Sequence, residues 1–497
     1  MLACLLVGSV FAVGSGFHVD PDLWWHVKVG EQILGTHRWP TTDIYSFTVS
    51  GQPWVAYEWL GDVLFATMNR LAGLQGLLSL LILIGSAVVL ALYAFATIVT
   101  RNSKAGFAAA SVLFVLATAS FSMRPQMLGY LFLILTLVAL ERFREGKHRT
   151  LWLLPVLMLV WVNTHGTWII GMGTIFVYWV SGLMKFQIGE LEAKAWTQRE
   201  RHSIACVFLL CLLALPITPY GTRIAASPFE FAFSLPLNVK YINEWQSMPF
   251  DIPGGKLFLS LVLGMILIQV VCRLTWRMEQ LALFLFGTLM AFLHVRFLLI
   301  FVPFFAPALG GIFAKWMPRY DDSRDKFALN AVLMACVAAG IIHYFPSRAH
   351  LEQKVSDQYP VEAVAYLQRH AVPGPMYNNY GFGGYLVWSQ GPEQKVFIDG
   401  RGDVYERGGV LADYLHISRL QPGALEVLRG HGINSCLLER DEPLATVLYA
   451  SPEWKRVYFE HVSALFVRVK PTVSAGLLMS PKLGPTMLVE STLTQQR

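Results

Sequence analysis

The sequence predicts an α-helical polytopic membrane protein with a small α/β domain at its carboxyl end, and three observations predict it. The 497 residues are 55% hydrophobic and 14% charged, with a mean hydropathy of +0.48, against about 25% charged residues in an ordinary soluble domain. About eleven apolar runs approach the ~20 residues that a membrane span needs, and short cation-bearing segments separate them. After residue 346 those runs stop, and short strand-like and helix-like patterns replace them.

In chain order the candidate spans are 1–17, 73–100, 105–122, 125–141, 151–163, 168–185, 204–219, 256–272, 280–296, 297–314 and 327–345. The first lacks a basic flank and is short, as a truncated span or a signal peptide would be; the missing small-x-small cleavage site favours a retained span. Residues 1–346 are thus expected to form the transmembrane domain, with 18–72 as its first outer loop, 347–470 as the terminal domain and 471–497 as a loose tail. The formal charge of +6 does not imply a nucleic-acid partner, because the cations sit in short loops and set orientation. With the amino terminus inside, sixteen cations fall in inner loops, such as Arg142, Arg144, Lys315 and Arg324, and eight fall outside. That bias places the terminal domain on the outer, extracytoplasmic face. The six cysteines show neither CxxC nor Cys/His metal spacing, so no disulfide framework or zinc site is implied.

This topology sends the unusual polar segments to one face. Asp20-Pro21-Asp22-Leu23-Trp24-Trp25-His26 leaves the first span directly, and carboxylates beside hydrocarbon are costly enough to suggest a task. Trp24 and Trp25 have a plainer explanation as indoles of the headgroup layer. Residues Leu23 to Leu34 pattern as an amphipathic helix along the membrane, broken at Pro40. Tyr45 to Val49 reads as extended, and Glu58 starts a further helix. Asp43 serves as a turn cap or as a carboxylate behind the centre. Arg124 before Pro125 either anchors a span end or binds a phosphate. His165 in Asn163-Thr164-His165-Gly166 either caps a helix or transfers protons. His294 and Arg296 interrupt an apolar stretch, where a charge is hard to explain by solvation. Glu244-Trp245 belongs to the centre or to a solvated loop. The inner loops carry only ordinary charge runs.

In the terminal region, Val361–His370 and Gly423–Gly430 read as helices. Pro375–Asn378, Val396–Asp399, Ile433–Leu438, Arg456–Glu460 and Ala464–Val469 read as strands. Tyr380-Gly381-Phe382-Gly383-Gly384-Tyr385 suggests tight turns and lacks the GxGxxG frame of a dinucleotide site. Asp399 and Arg401 either close a turn as a pair or face the membrane centre and bind a ligand.

An acidic first outer loop, amphipathic helices within it, about eleven spans and an outer terminal domain together resemble the GT-C superfamily of polyprenyl-phosphate-sugar-dependent glycosyltransferases. The strings DPDLWWHVKVGEQIL, PTTDIYSFTVSGQPWVAYEWL, NTHG, PYG and YNNYGFGGYLVW with KVFIDGRGDVY resemble a group of GT-C-like bacterial membrane proteins over nearly the whole chain. The resemblance implies a cell-envelope enzyme of the bacterial cytoplasmic membrane that moves a hexosyl or pentosyl unit from a polyprenyl-phosphate-linked sugar, with membrane lipids as neighbours. It implies Asp20 and Asp22 as catalytic, as general base or as ligands of a divalent cation such as Mg or Mn. Arg124, Arg296 or His165 would then meet the charge of the leaving phosphate, with His26, Glu58, Glu244, His294, Asp399 and Arg401 as further substrate-binding candidates. Two other classes stay open: a transporter, expected to show broken helices and inverted repeats, and a non-catalytic lipid- or glycan-binding scaffold.

Overall fold

The computed structural model describes residues 1–16, 18–118, 121–321, 323 and 325–469. The expected loose tail at 471–497, and Arg324 of the inner loops, lie outside the described residues. The apolar region runs α1 (Leu2–Gly14), α2 (Pro21–Thr36), α3 (Trp59–Thr100), α4 (Ser103–Ala117), α5 (Gln126–Arg144), α6 (Leu154–Val162) and α7 (Trp168–Ser181). It continues through α8 (Gln198–Ala214), α9 (Thr222–Phe233), α10 (Pro236–Tyr241), α11 (Pro253–Cys272), α12 (Met278–Leu293), α13 (Leu298–Trp316) and α14 (Phe327–His343). Between them, β1 (Phe186–Ile188), β2 (Leu191–Ala193) and β3 (Trp276–Arg277) make one small sheet.

Among the described residues, α3, α5, α11 and the segment Val295–Trp316 containing α13 are long and apolar enough to cross a bilayer. Counted as one span, α14 and the following helix, bent by 61°, make a fifth. Other apolar runs form helices of 10–17 residues. Length alone thus supports four or five of the eleven expected spans, because capping residues and tight connections cut the remaining runs short.

Two local features set the course of α2 and the start of α3. Asp20 is the amino-terminal cap of α2, its Oδ1 accepting from the Asp22 amide at 3.0 Å with Pro21 at the first helical position. Helix α3 begins after Glu58, and Gly73 (φ +56°) breaks its regular course. Its first turns are thereby set off from the apolar remainder. Gly30 lies so close to the Asp62 carbonyl that a Cβ there would approach it to 2.1 Å, which presses α2 onto α3.

The far end of α5 holds a second set of charges. Arg277 Nη2 meets Glu141 Oε1 at 2.7 Å and Arg144 Nη2 meets Glu279 Oε1 at 2.6 Å, with both carboxylates buried. Tyr178 and Ser181 donate to the same carboxylates at 2.6 Å. The expectation of ordinary charge runs here is corrected, since these residues tie α5, α7 and α12 together instead of facing solvent.

The terminal region contains α15 (Arg348–Ser356), α16 (Val361–Arg369), β4 (Met376–Asn378), α17 (Tyr380–Gln390), α18 (Gly402–Arg407), α19 (Val410–Ser418) and α20 (Ala424–Gly430). After these come β5 (Ser435–Glu439), α21 (Pro443–Ala450), β6 (Trp454–Phe459) and β7 (Ser463–Arg468). The sheet order is β4-β5-β7-β6, with β4 parallel to β5 and the other pairs antiparallel. Two expectations are corrected. The glycine-rich Tyr380–Tyr385 stretch is helical, because Asn379 caps it and Gly383 and Gly384 let it approach the Ile398 and Pro21 carbonyls. Val396–Asp399 joins the first outer loop instead of the sheet, through Phe47 N to Val396 O at 3.1 Å and Val396 N to Tyr45 O at 3.0 Å.

Helix α2 is consequently sandwiched. One side packs on α3; the other carries Trp24, 1% exposed, into an aromatic cluster with Tyr359, Tyr385 and Trp388. Trp24 therefore joins α2 to residues 359–388 and is buried instead of lying as an indole in a headgroup layer.

Candidate active site

Arg124 sits just before α5, where Pro125 ends the preceding segment and aims the side chain back toward α2. Its Nε meets Asp20 Oδ2 at 2.7 Å, its Nη2 meets Asp22 Oδ2 at 3.1 Å, and its Nη1 bonds Glu244 Oε1. One guanidinium thus gathers three carboxylates from residues 20, 22 and 244, with its own side chain 20% exposed. Asp22 Oδ1 also accepts from Trp25 Nε1 at 3.2 Å. Burial pushes the Asp22 carboxyl up to about 7, with Arg124 opposing and Asp20 and Glu244 adding to the rise.

Beside this cluster runs a line of alternating carboxyls and imidazoles. His165 Nδ1 accepts from the Thr167 amide at 3.1 Å, which leaves its Nε2 as the donor toward Glu58 Oε1 at 3.2 Å. Glu58 Oε2 stands 3.5 Å from His26 Nε2, and His26 Nδ1 meets Asp62 Oδ1 at 2.6 Å. Burial lifts Glu58 to about 8 and holds His165 down at about 3 and His26 well below its ordinary value. Neutral imidazoles and a proton-retaining carboxyl are the expected forms near pH 7.

Arg296 lies with its guanidinium carbon 4.2 Å from the Trp245 ring centroid. No carboxylate among the described residues pairs with it at salt-bridge distance, although Glu58 and His165 both feel its charge. His294 Nδ1 donates to the Trp245 carbonyl at 2.6 Å, and its ring stands edge-on to that indole at 5.4 Å between centroids.

No family model and no curated protein matches the chain. Among solved structures it is similar to the Archaeoglobus fulgidus oligosaccharyltransferase tethered with an acceptor peptide. That match has 10% identity and a TM-score of 0.49 over 88% of this chain and 69% of that one. It is also similar to the arabinofuranosyltransferase AftD from Mycobacteria, at 14% identity and a TM-score of 0.49 over 94% of this chain and 41% of that one. A third is ArnT from Cupriavidus metallidurans bound to undecaprenyl phosphate, at 12% identity and a TM-score of 0.48 over 93% and 96% of the two chains.

The expected metal ligands do not fit a divalent ion. Asp20 and Asp22 are turned to a guanidinium, and no group of three His, Cys, Asp or Glu suited to a metal occurs among the described residues. The expected Asp399 and Arg401 ligand patch is also corrected. Arg401 Nε and Nη2 meet the two Asp399 oxygens at 2.8 and 2.7 Å, and Nη1 meets Asp43 Oδ1 at 2.7 Å. Both side chains are at most 1% exposed, so they staple the first outer loop to the terminal domain. Their turn still matters to the centre: a Cβ at Gly400 would lie 1.8 Å from Asp22 Oδ1, so a side chain there would displace the Asp22 carboxyl. Sequence reasoning missed Asp62, which sits inside an apolar helix one turn after Glu58; that spacing on one helix face was the signal available.

Proposed function

We propose that the protein is a glycosyltransferase of the bacterial cytoplasmic membrane, moving a hexosyl or pentosyl unit from a polyprenyl-phosphate carrier to an acceptor on the outer side. The observation that carries this reading is the contact of Asp22, a carboxyl lifted to about 7, with Arg124, beside a Glu58 that feels the charge of Arg296 as well. A carboxyl of that basicity takes the proton of an acceptor hydroxyl as the oxygen attacks the sugar carbon. The bond from that carbon to the phosphate oxygen breaks, and its electron pair stays on the carrier phosphate. Arg296 meets the charge that develops there, and protonation of Asp22 frees Arg124 to do the same. Asp20 keeps the Arg124 fork aimed through its Nε contact.

The test compares carrier-linked sugars and cell-surface glycans in a deletion strain complemented with wild type, Asp20→Asn or Asp22→Asn. Accumulated carrier-linked sugar with Asp22→Asn, at normal protein levels, is expected. Unchanged glycans with both variants would remove the assignment, and an unchanged deletion strain would favour a scaffold.

A further inference from the structure

The Asp62, His26, Glu58 and His165 line is unused by the reaction just described, and its geometry is directional. The Thr167 amide fixes His165 as a donor to Glu58 Oε1. That 3.2 Å contact assigns Oε1 the carbonyl role, so a proton on Glu58 belongs on Oε2. Oε2 is held only loosely, at 3.5 Å from His26, and the Glu58 side chain is 23% exposed where its three partners are 9% or less. Glu58 is therefore the one member of the line that a ligand can reach. It also differs from the other carboxyls of the centre: Asp20, Asp22 and Glu244 each contact Arg124, whereas its contacts are imidazoles.

Asp62 gives this arrangement its rigidity. It is fully buried, and its 2.6 Å contact to Nδ1 holds the His26 ring with Nε2 toward Glu58, while the Trp25 ring lies against it, tilted by 30° at 3.6 Å between centroids. The groups that face Glu58 are His26 and Asp22 from α2, Asp62 from α3, Arg124, His165, Glu244 and Arg296.

We propose that Glu58 is the general acid of the centre, giving its Oε2 proton to the leaving phosphate oxygen, and that Asp62 is a positioning residue acting through His26. The step rests on the transferase reading and balances with it. The acceptor proton goes to Asp22, the Glu58 proton goes to the phosphate oxygen that keeps the bonding pair, and exchange with water restores both carboxyls.

The test is infrared difference spectroscopy of the full-length protein in nanodiscs, wild type against Glu58→Gln, as pH is raised. A protonated carboxyl band at pH 7 that Glu58→Gln abolishes and that titrates near 8 is expected. In Asp62→Leu, or in His26→Gln if the leucine variant does not fold, the midpoint should move at least tenfold in proton concentration. With the carrier-linked sugar as substrate, Glu58→Gln should slow transfer by about 10²- to 10⁴-fold, while polyprenyl monophosphate binds within about threefold of wild type. An ionised Glu58 at pH 7, or a midpoint indifferent to both Asp62 and His26, overturns the assignment even in an active transferase. A band that behaves as expected in a protein that transfers no sugar supports the protonated Glu58 and defeats the transferase reading instead.

Discussion

Replacing Arg124 with methionine keeps most of the side-chain volume and removes the charge that Asp20, Asp22 and Glu244 share. Removing one partner of a buried ion pair costs about 3–5 kcal/mol, since the other is left uncompensated. Arg124 is one-fifth exposed, so the lower end, about 3 kcal/mol, is the expected loss at pH 8. The sign with pH follows from proton binding. Asp22 is already lifted to about 7 in the folded wild type, mainly by burial, and losing Arg124 removes the influence that lowers it. The folded variant then holds a proton that the unfolded chain releases above about 4. Between about 4 and 7 wild type and variant hold the Asp22 proton alike and lose stability together as pH rises; above about 7 only the variant still holds it, so its deficit relative to wild type is smaller at pH 5 than at pH 8. Thermal unfolding in nanodiscs at pH 5 and pH 8 reads this directly. An equal deficit at both values would refute the reasoning, because it would make the contribution of Arg124 one of packing. Arg124→Met combined with Glu244→Gln should recover part of the loss at pH 8, as one fewer charge is stranded.

Asp22→Asn should flatten the fall in wild-type stability between about pH 4 and 7, since the folded-state carboxyl that retains its proton there is gone; the same pH series of unfolding midpoints checks it. Gly384→Ala places a Cβ 2.4 Å from the Pro21 carbonyl, so α17 must lift from α2 at a cost of about 1–3 kcal/mol, seen as faster proteolysis between the domains. Arg277→Leu strands Glu141 at the far end of α5 and should destabilise by about 3–5 kcal/mol while leaving the Glu58 infrared titration in place.

What the sequence made legible was whatever a local pattern encodes. The amphipathic pattern of Leu23 to Leu34 announced a helix, and α2 (Pro21–Thr36) covers it, with Asp20 as its cap. Asp20, Asp22, Arg124 and Glu244, singled out from polarity beside apolar runs, come together around one guanidinium, and His26, Glu58 and His165 line up beside them, with Arg296 close enough for Glu58 to feel its charge. Pairing was not legible. Whether Arg401 would reach a ligand or Asp399 depends on a turn whose closure is decided by Asp43, more than 350 residues earlier, and nothing near residue 401 records that contact. Trp24 looked like any indole at a membrane boundary until α17 covered it. The Glu141 and Glu279 network was missed because cations near span ends are what solvated flanks also show, and burial is a property of the helices packed around them.

The two guanidiniums and four carboxyls of the centre also constrain how an anion enters. Were all four carboxyls ionised, they would outnumber Arg124 and Arg296 by two, and a phosphate would meet net repulsion. Burial raises Asp22 and Glu58 to about 7 and 8, so near neutral pH Glu58 and about half of Asp22 retain protons, and the excess of negative charge largely disappears. An arriving phosphate pushes the Glu58 equilibrium further toward the protonated form by its own charge. Binding should therefore take up protons, and isothermal titration of polyprenyl monophosphate at pH 8 in two buffers of different ionisation enthalpy measures how many. Uptake in wild type that is reduced in Glu58→Gln is expected; equal uptake in both would show that the proton goes elsewhere and that Glu58 does not answer the ligand's charge.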